Sequence, residues 1–168
     1  STTASKSDEW IPIEPGTDAA LYFGMIVHIV EQGLIDQDFM KQHTSYPFLV
    51  DVATGKLIRE HEPQMVVDEE GNEAPEDGQA DPFYVIDEAT GAVVPYQQTT
   101  NPSLSGTVEF RGATVRTVYD LLLDSLANYS VDWASEITGI PAEKIKELAE
   151  LYAEGPSSLA LGWGGNDK

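Results

Sequence analysis

Between Asp18 and Gly33 the chain reads Asp-Ala-Ala-Leu-Tyr-Phe-Gly-Met-Ile-Val-His-Ile-Val-Glu-Gln-Gly, a helix with apolar residues around most of its circumference. Leu21, Met25, His28 and Gln32 form one stripe; Tyr22, Ile26, Ile29 and Val30 form another. A helix apolar on most sides is a buried helix, so this one must pass through the middle of something larger. Gly33 ends it, because glycine accepts the left-handed conformation that closes a helix. Before it, Pro15-Gly16-Thr17-Asp18 breaks the chain, and Trp10-Ile11-Pro12-Ile13 reads as a short strand. Pro12 lacks the N–H of a full ladder, which places that strand at an edge or a strand end.

The rest of the chain alternates in character. Asp36 is suited to cap a second, shorter helix through Phe39–His43. From Tyr46 to Phe110 two segments resemble each other: Phe48–Ile58 and Phe83–Val94 are each an apolar run, an Ala-Thr-Gly turn and a second apolar run. That pattern predicts two small hairpins. Between them, residues 60–81 are acidic, carry Pro63, Pro75, Gly71 and Gly78, and lack periodicity, which predicts a mobile surface loop. Helical spacing returns over Thr114–Tyr129, with Val115, Val118, Leu121, Leu122 and Leu126 on one face. Ser130 caps a helix over Val131–Thr138 that Gly139 ends. Pro141 and Glu143 suit the start of another, running to about Ala153 with Ile145, Leu148, Ala149 and Tyr152 inward. After Gly155-Pro156, Ser157–Leu161 reads as a buried strand leading into Gly162-Trp163-Gly164-Gly165.

The fold expected is α/β: a partial Rossmann-like layer of few strands and four to five helices, with a two-hairpin β insertion. Its divisions are 1–45, 46–110 with the acidic loop 60–81, and 111–168, the last packing with 1–45 as one domain. A strand and glycine-rich loop normally lead into a helix. With none supplied, and an equally abrupt start, both ends read as cuts within a larger protein.

Charge narrows the partners. Nine Lys+Arg stand against 29 Asp+Glu, a formal net charge of −20. Neutralising a phosphate backbone requires clustered cations, so neither nucleic acid nor an anionic membrane is an expected partner. No apolar run approaches the roughly 18–20 residues of a membrane span, and no secretory leader is read at Ser1–Ser7. With 0 cysteines, thiolate metal sites, cysteine-ligated iron–sulfur clusters and cysteine nucleophiles are excluded within this chain. An anionic small ligand would have to be held by backbone amides.

Two blocks carry a family resemblance. Trp10-Ile11-Pro12-Ile13…Pro15-Gly16-Thr17-Asp18-Ala19-Ala20-Leu21 is followed in order by Glu31–Asp36, His43-Thr44…Pro47–Val50 and Ile137-Thr138-Gly139-Ile140-Pro141-Ala142-Glu143. Together they resemble the catalytic subunits of the molybdopterin oxidoreductases, the dimethyl sulfoxide reductase family; residues 46–110 match only loosely. The resemblance implies an internal segment of a longer subunit that binds molybdenum or tungsten through two pyranopterin guanine dinucleotides. It also implies a metal ligand and an iron–sulfur motif upstream of this segment, so no catalytic or metal-ligating residue is assigned here. The parent reaction would be two-electron redox of a small substrate, often by oxygen-atom transfer, as in an anaerobic respiratory-type reductase or dehydroxylase. A non-redox hydratase or transhydroxylase of the same family is the alternative, and an acidic interaction module without cofactor is another. Partners would be the remainder of the subunit and an iron–sulfur electron-transfer subunit, in the bacterial cytoplasm or exported.

Under that resemblance the cofactor-binding candidates are Gly16, Thr17 and Asp18, with Thr2, Thr3, Gly162, Trp163 and Gly164. Guanine presents two adjacent donors that one carboxylate can accept, which suits Asp18. Gly16 allows close backbone approach, and the following helix mouth offers amides. The competing role for Thr17 and Asp18 is plain helix capping. Thr2 and Thr3 would border the same nucleotide, although the acid that precedes them in relatives is missing. Gly162-Trp163-Gly164 follows a strand end, where an open α/β sheet presents ligands. His28, His43 and His61 are scattered and read as structural.

Overall fold

The computed structural model describes residues 9–61, 65–67, 73–75 and 82–155. Over these described residues it is mixed α/β with five α-helices and small antiparallel sheets. The described residues form two compact units, one drawn from Ser1–Asp36 and Ser125–Lys168, the other from Gln37–Asp124. The strand expected at Ser157–Leu161, and with it any parallel layer, lies outside the described residues.

The first unit is helical. α1 (Asp18–Glu31), α4 (Val131–Thr138) and α5 (Ala142–Glu154) pack on one another. Val131, Ala134, Ile140 and Ile145 form the core, with Ile11, Ile13, Leu21 and Met25 against them. The close approach of α1 to α4 depends on Gly24, where a Cβ would come within 2.5 Å of the Ala134 Cβ. The ends of α4 fall where its sequence put them. The Ser130 hydroxyl accepts from the Trp133 amide, and Gly139 closes the helix at φ +72°.

Three expectations for this unit change. Trp10–Ile13 joins no ladder among the described residues; Pro12 has no N–H to give, and the segment is held by packing Ile11 and Ile13 against the helical core. α1 is buried on one face only, through Ala20, Gly24, Val27 and His28, while Tyr22 stays 61% exposed. On α5 the buried positions are Ile145 and Ala149; Tyr152 is exposed, because the core centred on Ile145 does not reach the last turn.

The second unit begins with α2 (Gln37–His43), directly after Asp36. Its sheet runs β1 (Leu49–Asp51), β7 (Ala113–Thr117), β6 (Thr107–Phe110), all antiparallel, with Val115 opposite Asp51 and Val108. β4 (Tyr84–Ile86) and β5 (Val93–Pro95) form a separate hairpin. The core is Leu49, Tyr84, Ile86 and Val115.

The sequence repeat is also a structural one. In Asp51-Val52-Ala53-Thr54-Gly55 and Asp87-Glu88-Ala89-Thr90-Gly91 the aspartate carboxylate accepts from the threonine amide three residues on. The glycine amide then closes on the aspartate carbonyl at 2.8 Å in each. Each glycine has positive φ, +69° and +70°, the conformation only this residue takes without strain. Those hydrogen bonds hold both carboxyls below the ordinary aspartate range; the amide of Ala53 dominates at Asp51, the Thr99 and Thr90 hydroxyls at Asp87.

Two further corrections arise here. Thr114–Thr117, expected to be helical, belong to β7; the helix α3 (Val118–Leu126) starts afterwards, with the Thr117 hydroxyl accepting from the Asp120 amide. Val115 fits either period, but β-branched Thr114, Val115 and Thr117 favour the pleated strand. Within 60–81, β2 (Met65–Val67) and β3 (Glu73–Pro75) form an antiparallel pair, where no periodicity had suggested one.

Candidate functional site

The turn at Pro15-Gly16-Thr17 ends on the mouth of α1. Gly16 sits at φ +82° with nothing within 4 Å of where a Cβ would stand, so backbone is open to an approaching group. Thr17 does not cap the helix. Its hydroxyl turns back and donates to the Glu14 carbonyl at 2.7 Å, leaving the first amides of α1 without a side-chain cap from it. Asp18 opens α1, is exposed, and its carboxylate makes no hydrogen bond or ion pair among the described residues. Capping therefore does not consume it. Free amides and a free carboxylate lie side by side, a combination that can accept from a base edge and donate to an anion.

What fixes this turn was not evident from sequence. The Glu14 amide donates to the Thr138 carbonyl at 3.0 Å, while the Glu14 carbonyl accepts from the Thr17 amide and hydroxyl. Glu14 is thus tied on both sides. Thr138 is fully buried, its hydroxyl donating to the Ala134 carbonyl and accepting from the Ile140 amide. Ser135 adds a bond to the Ile140 carbonyl at 2.7 Å. The Thr138-Gly139-Ile140-Pro141 block is accordingly a rigid anchor for the segment leading into Gly16–Asp18. Its motif was visible in the sequence; its partner was not.

Of the remaining candidates, Thr2, Thr3, Gly162, Trp163 and Gly164 lie outside the described residues. His28 is buried, with its Nε2 3.0 Å from Glu150 Oε1. His43 ends α2 with its ring centroid 5.2 Å from that of Phe39. Among the described residues no group of three or more His, Cys, Asp or Glu side chains is placed to hold a metal ion. Nor does a described helix have the length and apolarity to cross a membrane.

Comparison with known proteins supplies the class. No family model matches, but curated catalytic subunits of the molybdopterin oxidoreductases, of the dimethyl sulfoxide reductase type, match over most of this chain. Dimethylsulfide dehydrogenase subunit alpha of Rhodovulum sulfidophilum is 30% identical over 92% of this chain and 17% of its own length. Respiratory nitrate reductase subunit alpha of Haloferax mediterranei is 33% identical over 99% of the chain and 18% of its own. Dimethyl sulfoxide reductase DmsA of Escherichia coli is 27% identical over 97% and 14%. The chain spans less than a fifth of the length of each of these three relatives.

Proposed function

We propose that this chain is part of the cofactor-binding body of a molybdenum (or tungsten) oxidoreductase, and that its Gly16–Asp18 turn holds the guanine end of a pyranopterin guanine dinucleotide. The observation that carries this is the uncommitted Asp18 carboxylate at the uncapped mouth of α1. A carboxylate there accepts from the N1–H and exocyclic amine of guanine, a pair that adenine does not present. The backbone at Gly16 leaves room for the ring to come close. In a chain of net charge −20 such reading of a neutral base is the mode of nucleotide binding that the electrostatics oppose least.

The bound cofactor would supply two-electron chemistry to a small substrate, in a respiratory-type reductase or dehydrogenase. This chain's residues orient the nucleotide end and do not touch the reacting atoms. The metal ligand, any iron–sulfur cluster and the substrate pocket belong to other parts of the subunit, and Thr2, Thr3 and Gly162–Gly164 complete the dinucleotide's surroundings. Partner subunits carrying electrons would accompany it.

The test is Asp18→Asn in the full-length subunit. Guanine nucleotide released on acid hydrolysis, per mole of purified protein, is expected to fall several-fold, with Thr17→Ser close to wild type. Unchanged guanine content in Asp18→Asn would overturn the assignment.

A further inference from the structure

Among the described residues most cations have a carboxylate to neutralise them. Lys41 pairs with Glu88, Arg116 with Asp124, Lys144 with Glu9 and Glu147, and Lys146 with Glu143. The described Lys and Arg side chains without a carboxylate partner are Lys56, Arg59 and Arg111, and all three line one groove of about 320 Å³ in the second unit. In a chain with 29 acids and 9 Lys+Arg, three unmatched cations on one surface are a departure from the charge pattern of the whole.

The groove is built to keep these charges in place. Arg111 is the non-glycine residue with positive φ, +52°, among the described residues; followed by Gly112 at +81°, it makes the two-residue turn joining β6 to β7. A side chain takes that left-handed conformation only against steric strain. Its guanidinium donates to the carbonyls of Arg59 and Glu60 and to the Tyr84 hydroxyl, none of which cancels its charge. Arg59 lies with its guanidinium carbon 4.0 Å from the centre of the Phe83 ring, a cation–π contact that holds the group without cancelling its charge. Two acids share the groove with these three cations: Asp51, whose carboxylate accepts from the amides of its own turn, and Glu60, which makes no ion pair among the described residues.

We infer that this groove is a docking surface for an extended acidic segment of a partner polypeptide. Lys56 and Arg59 come from one stretch and Arg111 from the β6–β7 turn, and the three stand along an open, partly apolar surface that includes Leu57 and Ile58. A lone small anion is better held by enclosing amides, whereas spaced carboxylates on an extended chain match spaced cations on a groove. The rest of the chain repels an acidic partner, so these cations also decide where it lands. This surface is independent of the nucleotide assignment.

The experiment uses the whole chain and a fluorescein-labelled octaglutamate peptide, read by anisotropy at low salt, with octalysine as a non-cognate control. The wild-type chain binds octaglutamate, and the Lys56→Glu/Arg59→Glu double variant weakens it about tenfold or more. Lys144→Glu, a reversal on the other unit, leaves the affinity within about twofold. Circular dichroism of the double variant confirms that it is folded, and Lys56→Gln/Arg59→Gln, which adds no repulsion, weakens binding by a smaller factor. No octaglutamate binding by the wild type, or equal binding by all variants, overturns the inference. So does displacement of the peptide by millimolar inorganic phosphate but not by chloride of matched ionic strength, which marks a small-anion site.

Discussion

At Lys41 a charged side chain is held where water scarcely reaches. The residue is 8% exposed, and its Nζ donates to Glu88 at 2.5 Å and Asn101 at 3.1 Å. The two ends of that pair are unequal, because the Glu88 side chain is 47% exposed. Removing the exposed partner strands a buried ammonium, whereas removing the ammonium leaves a carboxylate that water can solvate. Glu88→Ala is therefore expected to cost about 1–2 kcal/mol by urea denaturation, and Lys41→Met less, although each deletes the same pair. Acid sharpens the point. Hydrogen bonding to Lys41, then to Asn101, lowers the Glu88 carboxyl below its ordinary value of 4.5. As pH falls through 4.5 the unfolded chain takes up its proton first, so the stabilisation present at neutral pH is lost progressively down to the folded-state value. Denaturation midpoints measured from neutral to strongly acid pH should fall less steeply for Glu88→Gln than for wild type.

Among the elements, the α1–α4 contact is set by what Gly24 lacks. Alanine is the better helix former by roughly 1 kcal/mol, yet its methyl would meet the Ala134 methyl at 2.5 Å with helix backbone behind it. Gly24→Ala is expected to destabilise the first unit by about 1–3 kcal/mol. Gly106→Ala is the contrast: its new methyl meets only the tip of Ile86, which can rotate away, so the loss is smaller. Chemical denaturation of both variants checks the order. The elements also show what local chemistry announces. Ser130 and Gly139 marked both ends of α4 because a hydroxyl and a left-handed glycine act within one turn of chain. The Ala-Thr-Gly turns were legible for the same reason, although the aspartate that ties each one was not. Thr114–Thr117 misled, since Val115 and Val118 satisfy a helical period, whereas the strand is fixed by pairing with β6 across the Arg111-Gly112 turn and with the remote β1. Gly16–Asp18 could be picked out as a turn with a carboxylate, while the anchor at Thr138 could not, because a hydrogen bond across the fold leaves no local pattern.

Over the whole molecule the excess of acids outweighs any single pair. The described ion pairs engage a small share of the 29 Asp+Glu, and with 9 Lys+Arg in the sequence the net charge of −20 sets acids against one another. Salt should relieve this repulsion. Raising sodium chloride from about 0.05 M to about 1 M shortens the screening distance roughly fourfold. The thermal midpoint is expected to rise by about 2–4 °C, the shift that about 1 kcal/mol makes in a chain of this size. A midpoint that stays level or falls would mean that the few ion pairs matter more than the bulk charge.

The tether between Glu14 and Thr138 also has a bearing on the order in which the protein is made. A ribosome adding roughly 5–20 residues per second presents the Gly16 turn on the order of ten seconds before its anchor exists. In that interval the strands of Gln37–Asp124 have already emerged and can pair among themselves. The nascent first helix must wait, one greasy side uncovered, for partners still being translated. The Gly16–Asp18 turn is thus among the last features of this chain to take shape, and a chaperone has its longest opportunity there.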